Sequence, residues 1–204
     1  MMTRVSLNQI NSEIVKAIRG INLEWGLAYE TAKMCVFLSQ HNIKYSREIC
    51  YLLNKYKDIN YIPNLICKEK ESLFIAPFFA ISLLENIISK KCQWEGYVFA
   101  PQFLIAAIGM FAKEFNIKFS IKNKKNILIA KSNNSKVCVL NRNLNTDYYF
   151  ISQEKLGIQP NNLSLLKKVN EYKIDDDDWG TILSFGKNSF VKDSISSKEK
   201  GAGY

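Results

Sequence analysis

Ile117-Lys118-Phe119-Ser120-Ile121-Lys122 alternates strictly between apolar and polar residues. A period of two is typical of a strand with one buried face, so the lysines are expected on the solvent face. The next residues, 123–126, have turn composition, and three further short apolar runs follow them: 127–130, 137–140 and 148–151. Short turns between successive strands predict an antiparallel β-meander rather than βαβ units.

Helical patterns precede this sheet. Ser6 and Gln9 have capping-box spacing, the apolar residues behind them recur at helical intervals, and Gly20 is expected to end the helix. Further helices are predicted over 25–40, after Ser46 as an N-cap, over 77–89 with Pro77 in the first turn, and over 101–116. The last of these is apolar nearly all round, which predicts a helix in the core. A short strand is predicted over 94–100.

The C-terminal third is predicted to be mainly helical, with one helix over 162–172 and another after the acidic run 175–178. Four consecutive aspartates favour a helix N-terminus over a calcium loop, because a calcium loop spaces its ligands. The predicted fold class is therefore α+β, with an N-terminal helical layer, a small antiparallel β-meander and C-terminal helices.

A single α+β domain is expected over residues 1–193, followed by a flexible Ser/Lys/Gly tail over 194–204. Within the domain, the pattern is mainly helical over 1–92, helix plus antiparallel sheet over 93–155, and helical again over 156–193.

Composition excludes several classes of protein. Hydrophobic residues make up 47% of the 204 and charged residues 23%, which is ordinary for a globular chain and not for a disordered, collagenous or coiled-coil one. No signal-peptide pattern and no apolar run of membrane-spanning length is present, so a cytoplasmic location without membrane association is expected. The five cysteines lack C-x-x-C spacing and are interpreted as buried free thiols. No metal site and no cofactor is expected.

The net charge of +9 is concentrated in the predicted sheet, since residues 117–155 hold 8 basic and 2 acidic side chains. With Tyr148, Tyr149 and Phe150 nearby, this pattern allows a nucleic-acid stacking platform. Only four of the basic residues are arginine, and no RNP, KH or helix-turn-helix signature is present, so nucleic acid is a third-ranked partner. The lysine excess is equally explained by an AT-rich genome.

No catalytic constellation is evident. His41 is the only histidine and is interpreted as a cation at a helix C-terminus, although spatial pairing with Cys35 or Cys50 remains open. Trp25, Trp94 and Trp179 are interpreted as core anchors.

Two segments resemble the bacterial DUF3726 family, whose members have no known function. The first is Val5-Ser6-Leu7-Asn8-Gln9-Ile10 with the later Arg19-Gly20 and Trp25-Gly26-Leu27-Ala28-Tyr29-Glu30, similar to V-S-L-N-E-I, R-G and W-G-L-A-E-E. The second runs from Val191 to Gly203 and is similar to V-P-x-S-x-x-S-R-x-x-G-A-G. Lys192 and Lys198 depart from the Pro and Arg of that ending.

The resemblance implies kinship along the whole chain and no particular reaction. The matched residues include hydroxyls, cations and glycines that suit an anion. The candidate ligand-binding residues are Arg19, Trp25, Ser194, Ser197, Lys198 and Gly201. The expected function is non-catalytic binding of a small anionic metabolite or a protein partner. An enzyme or a small enzyme subunit with a carboxylate–lysine site is the alternative.

Overall fold

The computed structural model describes residues 1–58, 73–115, 117–133, 136–139, 144–153, 164–166, 168–169 and 172–189. Six helices lie in these ranges: α1 (Leu7–Gly20), α2 (Trp25–Gln40), α3 (Ser46–Tyr56), α4 (Ala76–Lys90), α5 (Gln102–Phe115) and α6 (Asp176–Lys187). None of the described helices is long and apolar enough to span a membrane.

Nine strands lie among the described residues and form two sheets. They are β1 (Met2–Val5), β2 (Phe74–Ile75), β3 (Gln93–Phe99), β4 (Phe119–Asn123), β5 (Leu128–Asn133), β6 (Lys136–Val139), β7 (Asp147–Gln153), β8 (Ser164–Leu165) and β9 (Tyr172–Asp175). The larger sheet has the order β2-β3-β7-β4-β5-β6-β8, and the smaller one pairs β1 with β9.

The α+β prediction is confirmed, and the sheet is larger than the predicted meander. Strands β4, β5 and β6 pair antiparallel in sequence order as predicted. Strand β7 then inserts between β4 and β3, and β2 pairs parallel with β3, so the seven-stranded sheet is mixed.

The predicted helix over 162–172 is wrong where the structure describes it. Ser164 and Leu165 pair with β6, and Tyr172 opens β9, which pairs with β1 at the other end of the chain. Leucines at close intervals are compatible with helix or strand, and here distant partner strands supply the backbone hydrogen bonds.

The predicted cap at Ser46 is also wrong: Tyr45 is the N-cap, and the Ser46 hydroxyl donates to Asp178 Oδ2 at 2.5 Å.

Helix α5 is the centre of the core, as its apolar pattern predicts. It contacts α2 and α4 on one side and β4, β5 and β6 on the other. Ten of its residues are buried, including Phe103, Leu104 and Ile108. Burial of most of its length explains why this helix has no polar stripe before its last turn.

The aspartate run begins helix α6, as predicted. Asp175 is the N-cap and accepts a hydrogen bond from the Asp177 amide, while Asp176 accepts from the Thr3 hydroxyl at 2.7 Å. Asp178 accepts from Ser46. Within the described part of the chain, no group of histidine, cysteine, aspartate and glutamate side chains is placed to hold a metal ion.

Candidate ligand-binding cavity

A cavity of about 760 Å³ lies where α1, α2, α5 and β6 meet Leu166 and Lys168. This volume falls within the roughly 300–1,000 Å³ that is usual for small-molecule sites. The elements that form it come from both ends and from the middle of the chain, so only the folded protein contains the site.

Three lysines from three different elements line the cavity: Lys33 of α2, Lys113 of α5 and Lys168. The described residues of the lining include no carboxylate. All three are exposed residues. Because cations gathered without a counter-charge repel one another, this lining favours an anionic occupant.

Uncharged polar groups complete the lining on the helical side. Asn8 and Asn11 come from the first half of α1, and Gln40 lies at the end of α2. Asn8 is in the first turn of α1, so the positive end of the helix dipole lies near this part of the lining, and no acidic residue of that turn opposes it.

The opposing, negative end of α2 is largely neutralised by hydrogen bonds. The Leu38 carbonyl accepts from the amides of His41 and Ile43, and the Ser39 carbonyl accepts from the Asn42 amide. The Gln40 carbonyl accepts from the Val169 amide at 2.7 Å. The C-terminal carbonyls of α2 therefore offer little repulsion to an anion.

His41 follows the last residue of α2, as predicted, and also lines the cavity. Its side chain is only 7% exposed, and its ring lies 4.6 Å from that of Phe37, centroid to centroid. The sequence predicts the helix-terminal position of His41 but does not reveal its place at a cavity.

The remaining wall of the cavity is apolar. It is formed by Leu7, Val36, Phe37, Met110, Val137 and Leu166, together with the backbone of Gly109. A β-carbon at Gly109 would lie 2.4 Å from Phe37 Cζ and 2.8 Å from Val137 Cγ2. Glycine therefore lets the Phe37 ring and β6 close upon α5 beside the cavity.

One carboxylate lies within electrostatic reach of the lining. Burial raises the pKa of Glu30, and the nearby Glu85 raises it further, while Lys33 opposes both effects. Lys33 therefore interacts electrostatically with Glu30. No ion pair within the described ranges involves Lys113 or Lys168.

The sequence-predicted residues Arg19 and Trp25 are brought together, but not at this cavity. The Arg19 guanidinium carbon lies 4.8 Å from the Trp25 ring centroid, and the Arg19 side chain donates to the Leu23 carbonyl. Trp25 is 55% exposed and stacks on Tyr29, so its interpretation as a core anchor is wrong. Trp94 and Trp179 do pack against the core. Ser194, Ser197, Lys198 and Gly201 lie outside the described residues.

The three aromatic residues considered as a nucleic-acid stacking platform, Tyr148, Tyr149 and Phe150, do not share one exposed face. Tyr149 is buried and donates to the Asn145 carbonyl, with its pKa raised to about 12 chiefly by burial, while Tyr148 and Phe150 point to the other face. Lys131 of β5 is only 8% exposed, so the lysines of the basic stretch 117–155 do not form one continuous exposed surface.

The two thiols considered with His41 are held protonated at neutral pH. Burial raises the pKa of Cys35 well above its usual value. Burial, with a contribution from Asp178, raises that of Cys50 to about 12, and the Cys50 thiol donates to the Asp178 carbonyl. A thiolate nucleophile is therefore disfavoured at both positions.

The cavity residues Lys33, Lys113 and Lys168 have no local sequence signal. They are 55 or more positions apart, and each resembles an ordinary surface lysine. The one available signal is Gly109, which interrupts an otherwise bulky apolar helix one turn before Lys113 and indicates a close approach at that position.

The fold and the cavity together define an α+β protein with a cationic, ligand-sized cavity between its helical layer and its sheet. The family model described as "Protein of unknown function (DUF3726)" matches residues 5–71, so the predicted DUF3726 relationship is confirmed over that segment. The match includes α1 and α2, and with them Asn8, Lys33 and Gln40 of the cavity. No curated protein and no solved structure matches the chain.

Proposed function

We propose that this protein binds a small anionic ligand in the cavity between α1, α2 and α5 and performs no reaction there by itself. The observation that carries the proposal is the lining: three lysines from separate elements converge on one ligand-sized cavity whose described walls include no carboxylate.

Binding is favoured over catalysis by what surrounds the lysines. The enzyme alternative requires a carboxylate beside a lysine, and the described lining has none. The neighbouring apolar wall and the amides of Asn8, Asn11 and Gln40 are suited to holding a molecule in place.

A second anion contact is proposed at the surface. Arg19 and Trp25 form a cation–π stack, and α6, which precedes the C-terminal segment, packs against Gly20. Ser194, Ser197, Lys198 and Gly201 remain proposed ligand residues of that segment.

We expect anions to raise the melting temperature of the wild-type protein. The panel is inorganic phosphate, phenyl phosphate, succinate and suberate, each at 10 mM with sodium chloride at matched ionic strength as the reference. A ligand at 100 times its Kd stabilises by about 2.7 kcal/mol, which corresponds to roughly 5–10 °C in Tm for a chain of this length. Calorimetric titration of the best anion then gives its Kd.

Neutralising the cavity lysines should weaken that binding. A hydrogen bond to a charged group contributes about 1.5–3 kcal/mol when fully formed, and exposure reduces this, so each of Lys33→Gln, Lys113→Gln and Lys168→Gln is expected to raise Kd roughly three- to tenfold. The matched controls are the single variants Lys90→Gln, Lys124→Gln and Lys125→Gln. These lysines are exposed and do not line the cavity. The proposal fails if no anion of the panel binds, or if control and cavity variants lose affinity equally.

A further inference from the structure

The cavity lysines stand at two separate ends of the site. Helices α2 and α5 run antiparallel, because Gln102 Nε2 donates to the Lys44 carbonyl at 3.3 Å while Phe37 contacts Gly109. Lys33 is four residues before Phe37, and Lys113 is four residues after Gly109. In an antiparallel pair both lysines therefore lie one helical turn beyond the Phe37–Gly109 contact, at the same end.

Lys168 lies at the other end. The neighbouring Val169 amide donates to the Gln40 carbonyl at 2.7 Å, which fixes this segment at the C-terminus of α2. The Leu166 amide donates to the Val137 carbonyl at 3.1 Å, so the same segment also borders β6. Gln40 adds a polar side chain to the Lys168 end.

One wall of the space between the two ends is apolar, while Asn8 and Asn11 of α1 contribute polar groups elsewhere in the lining. Phe37, Met110 and Val137 form the apolar wall, and Gly109 leaves room beside them. Lys33 and Gln40 are seven residues apart in α2, which corresponds to about 10 Å along the helix axis. The two cationic ends are therefore about 10 Å apart. Between them, the side chains of Phe37, Met110 and Val137 form no strong hydrogen bonds with a ligand.

We propose that the ligand is a dianion with its two charged groups at opposite ends of an apolar spacer. This inference rests on the proposed function and specifies its ligand class. One anionic group contacts Lys33 and Lys113, the other contacts Lys168, and the spacer covers the Phe37–Met110–Val137 wall. A compact anion would engage one end and leave the apolar wall in contact with water, without the gain from its burial.

The spacing also sets the length of the ligand. Each methylene of an extended chain adds roughly 1.3 Å, given a C–C bond of about 1.5 Å. Two carboxylates about 10 Å apart therefore require a straight dicarboxylate of roughly eight to ten carbons. Lysine side chains are flexible enough to accept neighbouring lengths at some loss of affinity.

The test is a calorimetric titration of the full-length chain with succinate, adipate, suberate and sebacate, and with octanoate as the single-charge match to suberate. We expect the Kd to fall at least tenfold from succinate to suberate or sebacate. Octanoate is expected to bind at least tenfold more weakly than suberate. Lys168→Gln should raise the suberate Kd about tenfold, toward that of octanoate.

The outcomes separate this inference from the proposed function. Equal affinities for succinate and suberate, or for octanoate and suberate, would overturn the two-ended ligand while leaving anion binding in place. If phosphate and every dicarboxylate fail to bind, the proposed function is overturned as well. Because Lys168 is exposed, loss of folding is not expected in its variant, and the Tm without ligand verifies this.

Discussion

Gly20→Ala is expected to lower the free energy of unfolding by about 3 kcal/mol, a decrease in Tm of roughly 6–12 °C. A β-carbon at this position would lie 2.0 Å from the Phe185 carbonyl oxygen and 3.5 Å from Asn188 Cβ. The obstacle at Phe185 is backbone, so no side-chain rotation relieves it, and helix α6 would have to move away from α1. Thermal and urea unfolding followed by circular dichroism measure the loss.

Gly180→Ala is the matched control for this prediction. Gly180 lies in α6 itself, and nothing is within 4 Å of a β-carbon built there. Alanine in an open helical position is expected to stabilise the protein by up to about 1 kcal/mol. Equal stabilities of the two variants would show that the close approach of α1 and α6 is not a determinant of the fold.

Tyr45→Ala is expected to cost about 3–5 kcal/mol of unfolding free energy, because it empties a site in the core. Tyr45 is fully buried, stacks on Tyr172 with ring centroids 5.6 Å apart, and meets Phe103 edge-on at 6.1 Å. These contacts join the chain before α3 to β9 and α5. Urea unfolding at 25 °C gives the free-energy difference directly.

Tyr45→Phe separates the contribution of the ring from that of the hydroxyl. The Tyr45 hydroxyl is 2.9 Å from Ser39 Oγ, and the Ser39 hydroxyl retains its bond to the Cys35 carbonyl at 2.8 Å when the phenol is removed. The expected cost is about 1 kcal/mol, typical for one neutral hydrogen bond. A phenylalanine variant as unstable as the alanine variant would contradict a packing role for the ring.

Local sequence signals predict the helices of this fold well, because the determinants of a helix lie within it. The Ser6–Gln9 capping box forms as predicted, with the Ser6 hydroxyl accepting from the Gln9 amide, and helix α2 spans the predicted 25–40. The alternation over 117–122 predicts a strand where β4 lies, but its solvent face is not borne out, because Ser120 is buried together with Phe119 and Ile121.

The pairing of β-strands that are distant in sequence is not predictable from local sequence signals. Strand β1 pairs with β9, where Met2 faces Asp175, and neither strand carries a pattern that identifies the other. Strand β8 pairs with β6 although its sequence is equally compatible with a helix. Tertiary partners decide these segments, and a single sequence does not contain that information in local form.

The sequence predicts the kind of ligand, an anion, but it does not predict where the candidate site lies. The hydroxyls, cations and glycines of the DUF3726-like segments favour anion binding, but they direct attention to Arg19 and the C-terminal segment. The cavity lysines are brought together by the antiparallel packing of α2 on α5 and by the bond between Val169 and Gln40. That convergence is a property of the folded chain.

Native mass spectrometry of the wild type and of the triple variant Lys33→Gln, Lys113→Gln and Lys168→Gln tests the central claim most directly. Both proteins are purified gently from the expression host and measured before and after addition of suberate. We predict a small anionic adduct on the wild type, either co-purified or formed with suberate, and its loss from the triple variant. An adduct of equal occupancy on both proteins, or no adduct on the wild type with or without suberate, would contradict an anion site in this cavity.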